Sequence, residues 1–100
     1  MDRKVILESA LECVTGRRVE DHGRPEDSFQ VIANLWNAYS GHDYSAMDVA
    51  IMLGLLKVGR IACGQGTVDN YIDLAGYAAC AGELFERQRE VWSNAESTVG

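Results

Sequence analysis

One hundred residues, 47% of them hydrophobic, with ten glycines and a single proline, describe one globular domain rich in helix formers. Such a chain can bury a modest core but falls short of generous stability, so association into a homo-oligomer is expected. A net charge of −6 excludes a nucleic-acid binder that depends on a basic face, and the longest uncharged apolar run, Val49 to Leu56, is too short to cross a bilayer.

The charge is uneven. Residues 1–24 carry five basic and five acidic side chains, and the remainder carries four and ten. A local basic site near the N-terminal connector therefore fits inside an acidic chain. Asp2 is followed by basic residues but by no sustained apolar region, so no signal peptide is expected and the chain reads as cytoplasmic. Cys13, Cys63 and Cys80 show no metal-ligand spacing and are odd in number; apolar, reduced thiols are the expectation.

Residues 2–15 read as the first helix. Asp2 suits its N-cap, Ile6, Ala10 and Cys13 share a face with Leu7, Leu11 and Val14, and Gly16 supplies the stop. Residues 16–25, GRRVEDHGRP, are the most charged stretch and lack apolar periodicity, which makes them a loop. Two readings of it stay open. It is a solvated connector whose charges neutralise one another, or an anion site in which Arg17 and Arg18 act with backbone donors near a helix N-terminus. Pro25 suits the first position of the second helix, which runs to about Tyr39. Phe29, Ile32, Leu35, Trp36 and Tyr39 recur along it at helical spacing and form the heaviest apolar face of the chain. Gly41 ends this helix, and the turn GHDYS leaves His42 and Asp43 exposed.

Ser45 opens the third helix as N-cap, with Asp48 in the capping-box position. From Met47 to Cys63 the helix is apolar nearly all round, which implies a central place covered on most sides. Gly54 and Gly59 each weaken it by roughly 1 kcal/mol relative to alanine, and the close passage of another helix would explain both. Across the turn Cys63-Gly64-Gln65-Gly66, Thr67 caps the fourth helix, on which Asp69, Asp73, Gly76, Tyr77 and Cys80 lie on or near one face. The predicted fold is all-α: a single helical domain over 1–92, with a central antiparallel hairpin of about 45–63 and 67–92, and a flexible tail over 93–100.

The hairpin carries four charges in an otherwise apolar setting. Residues equidistant from its turn lie opposite each other, so Lys57 should meet Asp73, and Arg60 should meet Asp69 or Asn70. Asp69 and Asp73, four apart on one helical face, repel unless something positive or metallic sits between them. Lys57 and Arg60, if buried unpaired, would cost several kcal/mol. The plain reading is a partly buried ion-pair layer that fixes helix register. The functional reading is a polar-ligand site in which Lys57 and Arg60 hold anionic groups, Asp73 and Asp69 hold donors or Mg²⁺, and Tyr77 stands one turn further on. His22 is the better general-base candidate of the two histidines, by its position in the charged connector.

Taken together, RRVEDHGRPEDSFQVIANLW (17–36), DVAIMLGLLKVGR (48–60) and DNYIDLAGYAA (69–79) resemble an uncharacterised family of small phage and prophage proteins, a domain-of-unknown-function family. Its pattern is an Arg-then-Asp-Tyr-Gly-x-Pro loop, a Phe…Ile…Leu-Trp helix, a Lys-x-x-Arg and an Asp-x-x-Gly-Tyr. The matching positions are Arg18, Asp21, Gly23, Pro25, Phe29, Ile32, Leu35, Trp36, Lys57, Arg60, Asp73, Gly76 and Tyr77, with His22 where the pattern has tyrosine. The resemblance implies a viral origin, hence the host cytoplasm, and no defined activity. More distantly, the chain is similar to the all-α nucleoside triphosphate pyrophosphohydrolases of the MazG type, small helical oligomers that bind Mg²⁺ through acidic residues. Glu8 and Glu12 give one i,i+4 acidic pair on the first helix, but the Glu-Glu-x-x-Glu motif of those enzymes is absent.

Two functional classes follow. The first is a non-catalytic binding protein without cofactor, which captures a nucleotide-like or phosphorylated ligand, or a host protein, through Arg17, Arg18, Asp21, His22, Lys57, Arg60, Asp73 and Tyr77. The second is a Mg²⁺-dependent nucleotide hydrolase with Asp69 and Asp73 as metal ligands.

Overall fold

A computed structural model of the chain describes residues 1–16, 19–20, 23–64 and 66–99, with side chains as far as Trp92. Four long helices account for most of them: α1 (Arg3–Thr15), α2 (Pro25–Ser40), α3 (Ala46–Ala62) and α4 (Val68–Val99). No strand occurs among the described residues. The all-α expectation holds.

The starts of the helices follow their sequence signals. Asp2 Oδ1 accepts the Val5 N–H at 3.0 Å, and Pro25 takes the first position of α2. At α3, Ser45 Oγ accepts the Asp48 N–H at 3.1 Å while Asp48 Oδ2 accepts the Ser45 N–H at 2.9 Å, so the short aspartate closes the capping box. Gly41 stops α2 at φ +78°, a left-handed conformation that a side chain would strain. The turn between α2 and α3 is then held by Asn37, whose Nδ2 donates to the Tyr44 carbonyl at 3.0 Å and whose Oδ1 accepts the Tyr44 N–H at 2.7 Å.

The connector after α1 differs from the expected loop. Val19 N–H donates to the Gly16 carbonyl at 3.0 Å and Gly23 N–H donates to the Val19 carbonyl at 2.8 Å, so Val19 and Glu20 form a helical turn. Local polar composition hid it because the turn buries little apolar surface. At the other end, α4 stays helical to Val99, through the stretch where fraying is expected from composition.

The α3/α4 hairpin is the centre of the fold and holds the most extensive helix–helix contact; α1 packs on α4 and α2 packs on α3. Gly54 explains the close approach: a Cβ there would meet Leu74 Cδ1 at 3.4 Å and Tyr77 Cβ at 3.9 Å. Gly59 does not, since nothing lies within 4 Å of a Cβ built on it. The core between the layers is thin. Phe29 and Ala33 of α2 meet Val49 and Ala50 of α3 and Cys80 and Ala81 of α4, and Val49 is the largest side chain shielded completely.

Two apolar expectations are corrected by this geometry. The α2 stripe is only partly used: Phe29 is buried and Ile32 and Trp36 are half-buried, but Leu35 and Tyr39 (96% exposed) point to solvent. The reason is that Ala33, one residue off the stripe, is the fully shielded position of α2 in the core, which turns Leu35 and Tyr39 outward. Likewise α3 is not covered on most sides. Ile51, Leu55 and Val58, which share one face at helical spacing, are 48%, 61% and 44% exposed. The chain's own helices cover one side of the hairpin and leave the other open.

Length also shapes the molecule. With 32 residues α4 is about 48 Å long at 1.5 Å per residue, against 17 residues in α3. This overrun gives the longest dimension of 50 Å and a radius of gyration of 15.6 Å, above the roughly 13 Å of a compact 100-residue domain.

Candidate functional site

The hairpin geometry delivers one of its two expected ion pairs. Lys57 Nζ lies 2.9 Å from Asp73 Oδ2, with the lysine side chain 14% and the aspartate 31% exposed. Both residues stand on the side of the hairpin that α1 and α2 approach, where half-burial makes mutual neutralisation worthwhile. Arg60 is exposed, as is Asp69, and no ion pair joins them among the described residues. The hairpin turns Asn70, not Asp69, inward, where it is buried. An exposed Arg–Asp contact near the turn would gain only about 0–1 kcal/mol against the entropy of two long side chains, so nothing forces it to form.

The Lys57–Asp73 pair lines a cavity of about 480 Å³. Cys13 and Val14, at the end of α1, form one wall, and Val19 and Gly23 of the connector continue it. Pro25, Ser28 and Phe29 come from the first turns of α2. The floor is α4, through Ile72, Asp73, Gly76, Tyr77 and Cys80. Gly76 lets α1 come close, since a Cβ there would stand 3.2 Å from Val14 Cγ1. The rings of Phe29 and Tyr77 lie 6.1 Å apart at 55°, an arrangement that braces both aromatic walls.

Electrostatically the cavity is mixed. The Lys57 ammonium has three N–H donors and spends at least one on Asp73, while the carboxylate has lone pairs to spare. A ligand with an anionic group and a nearby donor could engage both. Burial pushes the Cys80 thiol up from its usual range, with Glu26 and Glu83 adding to the effect, so it remains a neutral wall group. Of the other thiols, Cys13 is half-buried and Cys63 is exposed, the latter against the expectation of an apolar setting.

The sequence reading expects Lys57 opposite Asp73 and Arg60 opposite Asp69 or Asn70; the structure brings Lys57, Asp73 and Tyr77 together, and among the described residues no ion pair joins Arg60 to Asp69. Arg17, Arg18, Asp21 and His22 lie outside the described residues. As metal ligands, Asp69 and Asp73 are two carboxylates one turn apart, the second already held by Lys57. Among the described residues no three His, Cys, Asp or Glu side chains converge, and no helix is long and apolar enough to cross a membrane. Cys13, Val14, Val19 and Ile72 were missed as wall residues. Their spacing carries no signal, because only the approach of α1 over Gly76 brings them to the site. In contrast, Gly23, Pro25, Phe29, Lys57, Asp73, Gly76 and Tyr77, all of them positions that carry the phage-family pattern, line this single cavity.

Comparison with known proteins points to phage relatives. Residues 5–85 match the family described as Domain of unknown function (DUF6378). The chain is 34% identical over 85 residues to the Gene 55 protein of Mycobacterium phage D29, covering 85% of this chain and 56% of that protein. It is 39% identical over 74 residues to the Gene 55 protein of Mycobacterium phage L5, covering 73% of this chain and 47% of that protein. The chain thus spans about half the length of the curated relatives it matches. No solved structure matches it. The chain belongs to the DUF6378 family, a family of phage proteins of unknown function.

Proposed function

We propose that this chain is a non-catalytic binding protein that takes up a small phosphorylated or nucleotide-like ligand in the cavity between α1, α2 and the hairpin. The observation that carries the reading is the half-buried Lys57–Asp73 pair in the wall of a cavity of about 480 Å³, within the roughly 300–1,000 Å³ typical of small-molecule sites. In this reading Lys57 donates to an anionic oxygen of the ligand and Asp73 accepts from an N–H or O–H on the same molecule. Tyr77, braced by Phe29, supplies the flat apolar wall. The mixed charge suits a ligand that is itself part anion and part donor better than a bare anion, which Asp73 would repel. Family membership fits because seven of the thirteen pattern positions, Gly23, Pro25, Phe29, Lys57, Asp73, Gly76 and Tyr77, line the site.

Thermal melting of the chain against nucleoside mono-, di- and triphosphates and inorganic phosphate, each with and without Mg²⁺, tests the proposal. A ligand at a hundredfold excess over its Kd should stabilise by about 2.7 kcal/mol, with no product formed and with the shift lost in Tyr77→Ala. Product formation with Mg²⁺ would overturn the non-catalytic reading in favour of a nucleotide hydrolase. A flat melting temperature across the whole panel would overturn small-ligand binding.

A further inference from the structure

The side of the hairpin turned away from the cavity is built as an interface. On α3 the open face is formed by Ile51, Leu55 and Val58. On α4 it is formed by Tyr71, Ala75, Ala78, Gly82 and Phe85, which recur at alternating spacings of four and three and so lie in one line. Tyr71 and Phe85 are 49% and 53% exposed, and a Cβ built on Gly82 meets nothing within 4 Å. None of these residues is charged in a chain of net charge −6, whereas Glu86 and Arg89 stand exposed just beyond Phe85. An apolar centre with charges at the rim is the anatomy of a protein interface.

We propose that this face packs on the same face of a second copy, with the helices antiparallel about a two-fold axis that passes beside Ala78. Three observations select a second copy as the occupant. First, the α4 line is symmetric in size about Ala78: Tyr71 lies seven residues before it, Phe85 seven after, and small residues fill the middle. Antiparallel pairing therefore sets each Tyr71 against Phe85 of the other copy and lets the backbones approach at Ala78. Second, the hairpin register carries the same axis onto α3. Lys57 lies level with Asp73 and Gly54 with Tyr77, so Ala78 lies level with Met52 or Leu53, midway between Ile51 and Leu55, which would then meet each other across the axis. Third, the face is large enough. It is about 25 Å long by two helix diameters, or roughly 20 Å, across, about 500 Å² in projection. Side-chain relief raises that towards the ~800 Å² that each partner buries in a standard interface. The face is also where two acidic chains meet with least repulsion.

Light scattering on the purified chain should give twice the 11.0 kDa monomer mass at micromolar concentration. Ala78→Arg, an exposed position whose substitution leaves the monomer core untouched, should return it to the monomer mass with its helical circular dichroism intact. To read the register, Ala78→Cys in a Cys63→Ser background should cross-link to its own copy with a short thiol–thiol reagent, and Ala38→Cys in the same background should not. A monomeric wild-type chain overturns the proposal. So does a dimer that survives Ala78→Arg, or a dimer in which Cys at 78 cross-links no better than Cys at 38.

Discussion

On one side of the α3/α4 hairpin, Lys57 and Asp73 sit among apolar walls and are covered by α1, α2 and the connector. On the other, Ile51, Leu55 and Phe85 face solvent with no helix over them. Hydrophobicity alone would assign the two sides the other way round. What separates them is where the chain can place its remaining helices. The short turn after Ser40 ties α2 to the α3 flank, α1 packs on the α4 flank, and both lie on the same side. Coverage is thus a matter of topology, and the charged residues are found where covering helices can enclose them, while the uncharged residues are left for another surface.

Substitutions can break or sharpen this contrast. The largest effect is expected for Phe29→Ala, which opens a void between α2, Val49 and the cavity. It should cost about 3–5 kcal/mol, a large part of the stability of a domain this size. Leu55→Ala, on the open side, should cost under about 1 kcal/mol at high dilution. Urea unfolding of the two variants compares them directly, and equal losses would mean the sides do not differ. Next is Lys57→Met. It strands Asp73 in a half-covered site, intermediate between an exposed pair and a buried one, and should cost about 1–2 kcal/mol. Adding Asp73→Leu should recover most of that loss, and a double-mutant cycle reads the coupling. The smallest effect is expected on the open side again: Gly59→Ala, in free space within α3, should stabilise by about 0.5–1 kcal/mol in the same unfolding assay.

The parts of this arrangement that were readable in the sequence are those set by local rules. Asp2, Pro25 and the Ser45–Asp48 box mark helix starts because capping is decided within four residues. Lys57 opposite Asp73 was readable because a short turn fixes which residues of a hairpin are level. The second pair was misjudged because level is not the same as facing: Asn70 turns inward and Asp69 does not. The cavity could not be read from spacing, since it depends on α1 crossing α4 at Gly76, some sixty residues away in the chain, and no periodicity encodes that crossing. Nor could the open face. An all-round apolar helix announces that it will be covered, and says nothing about whether its own chain supplies the cover.

The Asn37 amide has a mechanical consequence. By gripping both the N–H and the carbonyl of Tyr44 it fastens the end of α2 to the lead-in of α3. The Lys57–Asp73 pair in turn fastens α3 to α4. These three helices form a clamped frame, and Phe29, Lys57 and Tyr77 travel with it. The remaining wall, the end of α1 with Val19 and Gly23, rests against that frame through apolar contact at Gly76. A side chain added at Gly76 would therefore press first on Val14 and reshape the cavity through α1, leaving the clamped frame as it is.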